Sequence, residues 1–189
     1  LLLIDADRVE PSNLNRQLIA TKHTLGLPKV QAARERLQAV SDCEIETKQV
    51  FILPANVAEA LEPPLNFIID AVDTVAAKVA IARYAQDAGI PVISSMGAGN
   101  RLDPAAFEVR DIYETEGCPL ARAVRKGCRE QGVRALPAVI SREPAIKPQT
   151  PPQGEHAAPA KRAPGSISFT PPAAGLVLAG YVVRSLIKQ

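Results

Sequence analysis

Aromatic residues are scarce in this chain of 189 residues: they make up 4% of it, and tryptophan is absent. Proteins that bind single-stranded nucleic acid by stacking need a row of aromatic rings, so the composition argues against such a platform. The net charge of +2 implies no polyanionic partner unless cations cluster locally. With 47% hydrophobic and 22% charged residues, the chain has the composition of a globular protein with one sizeable core.

Cysteines and long apolar runs are also few. Cys43, Cys118 and Cys128 show no CxxC spacing, which indicates a reducing compartment and argues against a disulfide framework or a zinc site. No signal peptide is evident. The apolar run from Ala173 to Val183 is too short to span a bilayer before Arg184 interrupts it. We therefore expect a cytoplasmic protein that does not span a membrane.

Short aliphatic runs alternate with segments of helical periodicity along the chain. Strands are predicted at residues 1–4, 44–51, 67–69, 91–94, 107–112, 138–141 and 167–169. Helices are predicted at residues 29–40, 55–61, 76–88, 118–131 and 173–187. This order predicts a mainly parallel α/β sheet flanked by helices, in a single domain over residues 1–189. The Pro- and Ala-rich stretch 144–165 predicts a flexible loop.

The first thirty residues carry the densest group of ligand-type side chains. Asp5 follows an aliphatic strand, where an acid can hydrogen-bond both hydroxyls of a ribose; it could equally do no more than end the strand. Arg16 and Lys29 follow closely and suit phosphate oxygens, although lone cations are usually solvated. The nearby Asn13 and Asn15 favour a nucleotide site, because solubility alone does not explain such a cluster.

Two further loops have weaker signals. Asp73 follows the third strand, where it could hold magnesium on phosphates or cap the next helix, and the two roles are compatible. Gly97 and Gly99 could let backbone approach a ligand, but a plain turn is the commoner meaning. Cys118 opens a helix whose dipole would lower a thiol pKa, yet an incidental packed cysteine is the stronger reading.

A stripe of cations follows on the helix predicted at 118–131. Arg122, Arg125, Lys126 and Arg129 have i, i+3, i+4, i+7 spacing and share one face. Such a stripe suits a nucleic-acid backbone, and Arg134 nearby favours that reading over a solvated face.

Several segments together resemble a known superfamily. LLLIDADRVEPSNLNRQ, then GLPKV, then IIDAVDT with Lys78, resemble the ThiF/MoeB/ubiquitin-activating E1 superfamily of adenylating enzymes. ISSMGAGNRLDP, the CPLAR helix and PGSISFTPPAAGLVLAG resemble its TcdA (CsdL) branch, the tRNA threonylcarbamoyladenosine dehydratases. The resemblance covers essentially the whole chain except the Pro- and Ala-rich loop.

The resemblance implies a Rossmann-like fold, with ATP and Mg²⁺ as cofactors and tRNA as partner. The enzyme would adenylate the carboxylate of threonylcarbamoyladenosine at position 37 and cyclise it with loss of water. The residues implied as cofactor-binding are Asp5, Ser12, Asn13, Arg16, Lys29, Asp73 and Thr74. Arg16, Lys29 and Asp73 would be catalytic, and Asp73 would hold the magnesium. The implied tRNA contacts are Arg101, Arg122, Arg125, Lys126 and Arg129.

The chain departs from the superfamily in two respects. The zinc CxxC pairs of many members are absent, which fits the dehydratase branch. The family's first strand and GxGGVGS-type loop are not found before Leu1, so we expect this chain alone to bind ATP poorly. A homodimer is expected through the closing helix or a sheet edge, and a cysteine desulfurase or sulfur-acceptor system is a further candidate partner.

Three other functions compete with that one. The first is E1-like adenylation of the C-terminus of a ubiquitin-like or sulfur-carrier protein, which would lead us to expect zinc cysteines. The second is a non-enzymatic interaction domain. The third is an NAD-binding oxidoreductase, which accounts for the acids at the strand ends but not for the SNLNRQ cluster.

Overall fold

The computed structural model describes residues 1–62, 64–146 and 164–187, and within them it is an α/β protein. The strands are β1 (Leu2–Ile4), β2 (Glu46–Lys48), β3 (Ile68–Asp70), β4 (Val92–Ser95), β5 (Phe107–Asp111) and β6 (Pro137–Ser141). The helices are α1 (Lys29–Gln38), α2 (Val57–Ala60), α3 (Val75–Ala88), α4 (Pro119–Glu130) and α5 (Thr170–Leu186). The predicted alternation of strands and helices is confirmed.

The strands form two sheets. β1 and β2 pair in parallel, and a four-stranded sheet has the order β3-β4-β6-β5. Its pairs are parallel except that β5 runs antiparallel to β6. The prediction of mainly parallel pairing is therefore confirmed. The strands belong to two separate sheets, with β1 and β2 in one and β3 to β6 in the other.

Helices cover both faces of the four-stranded sheet. Val79 of α3 and Val124 of α4 pack against one face, where they meet Ile140. Ala174 and Leu178 of α5 pack against the other face. This arrangement leaves the ends of the strands free to carry loops, which is where ligands bind in parallel sheets. Among the described residues, no helix is long and apolar enough to cross a membrane.

Several predicted boundaries were wrong. The strand predicted at 167–169 does not form, because Gly165 and Ser166 accept hydrogen bonds from two loops and the chain then turns into α5. The helix predicted at 29–40 ends at Gln38, and Val40 is exposed. The strand predicted at 44–51 shortens to the three residues of β2.

Other local predictions hold. Gly89 ends α3 with a φ of +66°, a left-handed conformation that glycine adopts without strain. The single-domain organisation stays a prediction. Most of the predicted flexible loop, residues 147–163, lies outside the described residues.

Candidate nucleotide and substrate site

The register of the larger sheet brings the ends of β3 and β4 together. Asp70 is paired in register with Ser94, and Ser94 with Ala138 of the neighbouring β6. Because these three strands are parallel, the loops that follow them start from one edge. These are the loops with Asp73, with Gly97 to Arg101, and with Glu143.

A buried ion pair joins β3, α3 and β4 at this edge. Lys78 Nζ lies 3.1 and 3.2 Å from the two oxygens of Asp70 and 3.2 Å from Ser94 Oγ. Ser94 Oγ in turn donates to Asp70 Oδ2 at 2.5 Å. All three side chains are buried. Desolvation lowers the pKa of Lys78, and the adjacent Asp70 carboxylate opposes that shift.

Asp5 and Lys29 are held at the end of β1. Asp5 Oδ1 accepts from the Asp7 backbone N–H at 2.8 Å, which fixes the turn after the strand. The backbone N–H of Lys29 donates to the Asp7 carbonyl at 2.9 Å, and its Nζ lies 2.7 Å from Asp7 Oδ2. The Lys29 side chain is 13% exposed and that of Asp7 is 64% exposed. An incoming phosphate would thus compete with a carboxylate that water already screens.

The SNLNRQ loop is ordered by its own side chains. Asn13 is buried in a short 3₁₀ turn, and its Oδ1 accepts from the Glu10 backbone at 3.0 Å. Arg16 Nη1 donates to the Ser12 carbonyl and to Asn15 Oδ1, both at 2.9 Å. Asn13 therefore shapes the loop, and Arg16 is oriented by two acceptors that leave its other nitrogens uncommitted among the described residues.

A groove of about 820 Å³ separates the two sheets. Its walls are mainly aliphatic, from β1 on one side and β3 on the other, and its polar lining includes Asp5, Lys29 and Asp70. The volume lies within the range of small-molecule sites. The groove brings together Asp5 and Lys29 from the predicted set, whereas Ser12, Asn13, Arg16, Asp73 and Thr74 do not line it.

Asp73 is exposed beyond the end of β3. The alternative role of capping α3 does not apply to Asp73, because Thr74 occupies that position. The one side-chain hydrogen bond of Asp73 within the described chain is accepted from Thr74 Oγ1 at 3.3 Å. The described residues contain no group of three or more metal-ligating side chains. Mg²⁺ is commonly held by one or two carboxylates together with substrate phosphates, so Asp73 fits that ion as a single ligand.

The basic face of α4 is only partly available to a partner. Arg122, Lys126 and Arg129 are exposed, with Arg129 stacked 5.4 Å from the Tyr113 ring. Arg125 is half-buried, and its Nη1 donates to the carbonyl and the hydroxyl of Thr115. Arg125 therefore fixes a loop of the protein, and the predicted stripe of four cations reduces to three.

Arg101, which the resemblance implies as a tRNA contact, is buried, and that role stays a prediction. Arg101 is 4% exposed, and it follows the glycine-rich loop into the interior. Asn100 takes a φ of +57°, and it exchanges hydrogen bonds of 2.8 Å with Gly165 through its backbone N–H and its side-chain oxygen. A Cβ at Gly99 would lie 2.6 Å from Pro164, so the bare backbone is needed there.

A segment that the sequence marked as a family motif, without assigning it to the site, joins two of these loops. Ser166 accepts two bonds from Asn15 Nδ2, at 3.2 and 3.1 Å, and its neighbour Gly165 is bonded to Asn100. The chain at 164–166 therefore bridges the SNLNRQ loop and the glycine-rich loop. Only the fold brings these segments together, because about 150 residues separate Asn15 from Ser166.

Comparison with known proteins identifies the family: residues 1–189 match the ThiF family. The chain belongs to that family. It is 33% identical over 197 aligned positions to the tRNA threonylcarbamoyladenosine dehydratase of Bacillus subtilis (strain 168), and the match covers all of this chain and 78% of that protein. The Escherichia coli (strain K12) enzyme of the same name is 31% identical over 79% of this chain and 59% of its own length.

A solved structure agrees with these relatives. E. coli TcdA in complex with ATP has a TM-score of 0.87 and 26% identity to this ThiF-family chain, over 99% of the chain and 75% of TcdA. The Rossmann-like fold and the resemblance to the dehydratase branch are both confirmed.

Proposed function

We propose that this protein is an ATP-dependent tRNA threonylcarbamoyladenosine dehydratase. The observation that carries the proposal is 33% identity, along the whole chain, to a relative with that name. The ATP complex of E. coli TcdA supports ATP as the activating reagent.

The chemistry needs a carboxylate to become an electrophile. A carboxylate oxygen of the threonylcarbamoyl group bonds to the α-phosphorus of ATP while the bond to pyrophosphate breaks. A nucleophilic atom of the same group then bonds to the activated carbonyl carbon, AMP leaves with the former carboxylate oxygen, and the nucleophile gives up its proton. The ring closes with net loss of one water.

We propose for the site residues the roles that the family resemblance implies, supported where the geometry allows. Asp5 binds the ribose at the groove, and Lys29 leaves Asp7 to meet the phosphates. Arg16 stabilises charge on the transferred centre, because two loop acceptors orient its guanidinium through Nη1 and no other nitrogen of the group has a hydrogen bond within the described residues. Ser12 and Asn13 accept bonds within this loop and hold it in place, so they support nucleotide binding by positioning Arg16.

Asp73 would hold Mg²⁺, which would neutralise phosphate charge when it is bound. The exposed carboxylate of Asp73 supports this assignment. The carboxylate of Asp70, by contrast, is already bonded to Lys78 and Ser94 in the interior. Thr74 orients Asp73 through the 3.3 Å contact of its hydroxyl.

The decisive experiment uses the complete natural protein with ATP, Mg²⁺ and threonylcarbamoyl-modified tRNA. Nucleoside mass spectrometry should show loss of one water from the modified nucleoside, and AMP and pyrophosphate should accumulate. Arg16→Ala and Lys29→Met should each lower the rate by about 100-fold or more. No loss of water with wild-type protein would reject the proposal.

The exposed part of the basic face on α4 would bind tRNA phosphates. Arg122→Glu with Lys126→Glu should weaken tRNA binding and lower the slope of log K against log salt by about 1.5 to 2. Arg36→Glu, on the exposed surface of α1, is the matched control and should leave the slope nearly unchanged. Equal effects of the two variants on tRNA binding and its salt slope would indicate that the basic face of α4 is an ordinary solvated surface.

The protein would also form a homodimer through the outer side of α5. Leu176, Val183 and Ile187 are 74%, 56% and 76% exposed on or just beyond that helix, and such apolar side chains favour burial. Sedimentation of wild type against Leu176→Glu tests this. The cysteine desulfurase or sulfur-acceptor partner stays a prediction. E1-like adenylation of a carrier protein is less well supported, because the cysteines lack zinc spacing.

A further inference from the structure

The SNLNRQ loop, residues 12–17, makes most of its hydrogen bonds with itself and its immediate neighbours. Within the described chain these bonds join residues between 10 and 20, except at Asn15. Asn15 Nδ2 donates to the carbonyl oxygen of Ser166 at 3.2 Å and to Ser166 Oγ at 3.1 Å. Ser166 therefore supplies the hydrogen bonds that fix this loop against a distant part of the molecule.

The side chain of Asn15 is also a partner of Arg16. Arg16 Nη1 donates to Asn15 Oδ1 and to the Ser12 carbonyl, each at 2.9 Å. One amide group thus has its oxygen on the guanidinium and its nitrogen on Ser166. It joins the cation for which we propose a catalytic role to the segment that precedes α5.

Ser166 determines which way that amide faces. An asparagine amide can rotate about its last bond and exchange the places of its oxygen and nitrogen. The rotated amide would turn its N–H groups toward the guanidinium, which has only donors, and its oxygen toward the Ser166 carbonyl, which has only acceptor lone pairs. The two acceptors of Ser166 thereby hold Asn15 Oδ1 toward Arg16.

Ser166 can impose this orientation because the chain on both sides of it is held. The Gly165 N–H donates to Asn100 Oδ1, and the Asn100 N–H donates to the Gly165 carbonyl, both at 2.8 Å. On the other side, Thr170 is buried where α5 begins. Ser166 itself is half-buried between these two contacts.

We propose that Ser166 is a positioning residue for Arg16 and acts through the amide of Asn15. The inference rests on the proposed function, in which Arg16 stabilises charge on the transferred centre, and it adds Asn15 and Ser166 to that site. A guanidinium stabilises a developing charge best when it is oriented before the reaction begins, so an error in its orientation lowers the rate. In this role neither Asn15 nor Ser166 contacts ATP or tRNA.

Steady-state kinetics of the complete protein, with ATP, Mg²⁺ and threonylcarbamoyl-modified tRNA, test this role. Asn15→Leu removes the contacts to both partners and should lower kcat by about 10-fold or more. Ser166→Ala removes one of the two acceptors and should lower kcat by about 2- to 5-fold. The KM for ATP should change less than kcat in both variants, because the lost interaction acts mainly in the transition state.

A double-mutant cycle with Arg16 separates positioning from general support of the fold. In the Arg16→Ala background, Asn15→Leu and Ser166→Ala should have no further effect on kcat, since the group that they orient is gone. A loss by the same factor in both backgrounds would overturn the inference, because the effect would not depend on Arg16. A raised KM with unchanged kcat would overturn it as well.

Two further variants serve as controls. Ser166→Thr keeps the hydroxyl and the carbonyl and should retain most of the wild-type kcat. Ser168→Ala is the matched control, because Ser168 is exposed in the same segment and its side chain makes no hydrogen bond within the described residues. Its kcat should equal that of the wild type, and a loss in Ser168→Ala as large as in Ser166→Ala would refute a specific role for Ser166.

The remaining outcomes distinguish this inference from the proposed function. Should wild-type protein fail to dehydrate the modified nucleoside, the proposed function fails. Should wild type act and Asn15→Leu act equally well, this inference alone fails. A loss in Asn15→Leu without any loss in Ser166→Ala would also contradict the role of Ser166.

Discussion

Replacing Lys78 by methionine should be among the most destabilising single changes in the protein. The substitution keeps the length of the side chain and removes its charge, so packing changes little. Asp70 then remains at 1% side-chain exposure without its counter-ion. Breaking a buried ion pair in this way costs about 3–5 kcal/mol, because the remaining charge is neither solvated nor paired.

The geometry of the pair supports a value in that range. Lys78 Nζ makes three contacts of 3.1 to 3.2 Å, and its side chain is 0% exposed. Only the 2.5 Å bond from Ser94 and the 3.1 Å bond from the Val72 backbone would remain to Asp70. Converting Asp70 to asparagine as well should restore most of the lost stability, since the amide oxygen can still accept a bond and no charge is left.

Urea denaturation measures these effects through the midpoint at constant m-value. Lys126→Met is the matched control: its side chain is 79% exposed and lies 3.7 Å from Glu130, so we expect a change below about 0.5 kcal/mol. If Lys78→Met costs no more than that control, or if the double variant is less stable than the single one, the reasoning about the unpaired charge is wrong.

Two further predictions concern α4 and the alkaline limit of stability. Burial raises the pKa of the Cys128 thiol to about 11, so the unfolded thiol loses its proton first, and the unfolding free energy should fall by about 2 kcal/mol between pH 9 and 11. Cys128→Ala should lose this slope in pH-dependent denaturation. A Cβ at Gly127 would lie 2.7 Å from Val79 Cγ2, so Gly127→Ala should destabilise by about 1–2 kcal/mol. Gly175→Ala meets nothing within 4 Å on exposed helix and should stabilise by about 0.5–1 kcal/mol; equal effects of the two changes would contradict the packing argument.

Local chemistry made much of the fold predictable. Aliphatic runs such as Leu1 to Ile4 form strands because consecutive aliphatic side chains suit both faces of a strand, and Gly89 ends α3 because it tolerates a positive φ. The strand predicted at 167–169 failed for a reason absent from its own sequence. Its neighbours Gly165 and Ser166 are bonded to Asn100 and Asn15, which leaves no edge for pairing.

The candidate site divides in the same way. Motif and spacing identified Asp5, Arg16 and Lys29, because a loop after a strand places its own residues near one another whatever the rest of the chain does. Neither motif nor spacing revealed that Arg125 would fix a neighbouring loop or that Arg101 would be buried. Such outcomes depend on partners distant in sequence, whose distances only the packed structure sets.

The sequence alone determined the family, the order of strands and helices, and the polar loop for which we propose the nucleotide chemistry. Each of these depends on short-range periodicity or on contiguous motifs. The tertiary structure decided which charges are buried and which stay at the surface. Lys78 meets Asp70 in the interior across α3 and β3, and Arg101 is buried as well, whereas Lys126 stays exposed. Desolvation makes that difference, because a charge's energy depends on what surrounds it and not on its place in the chain.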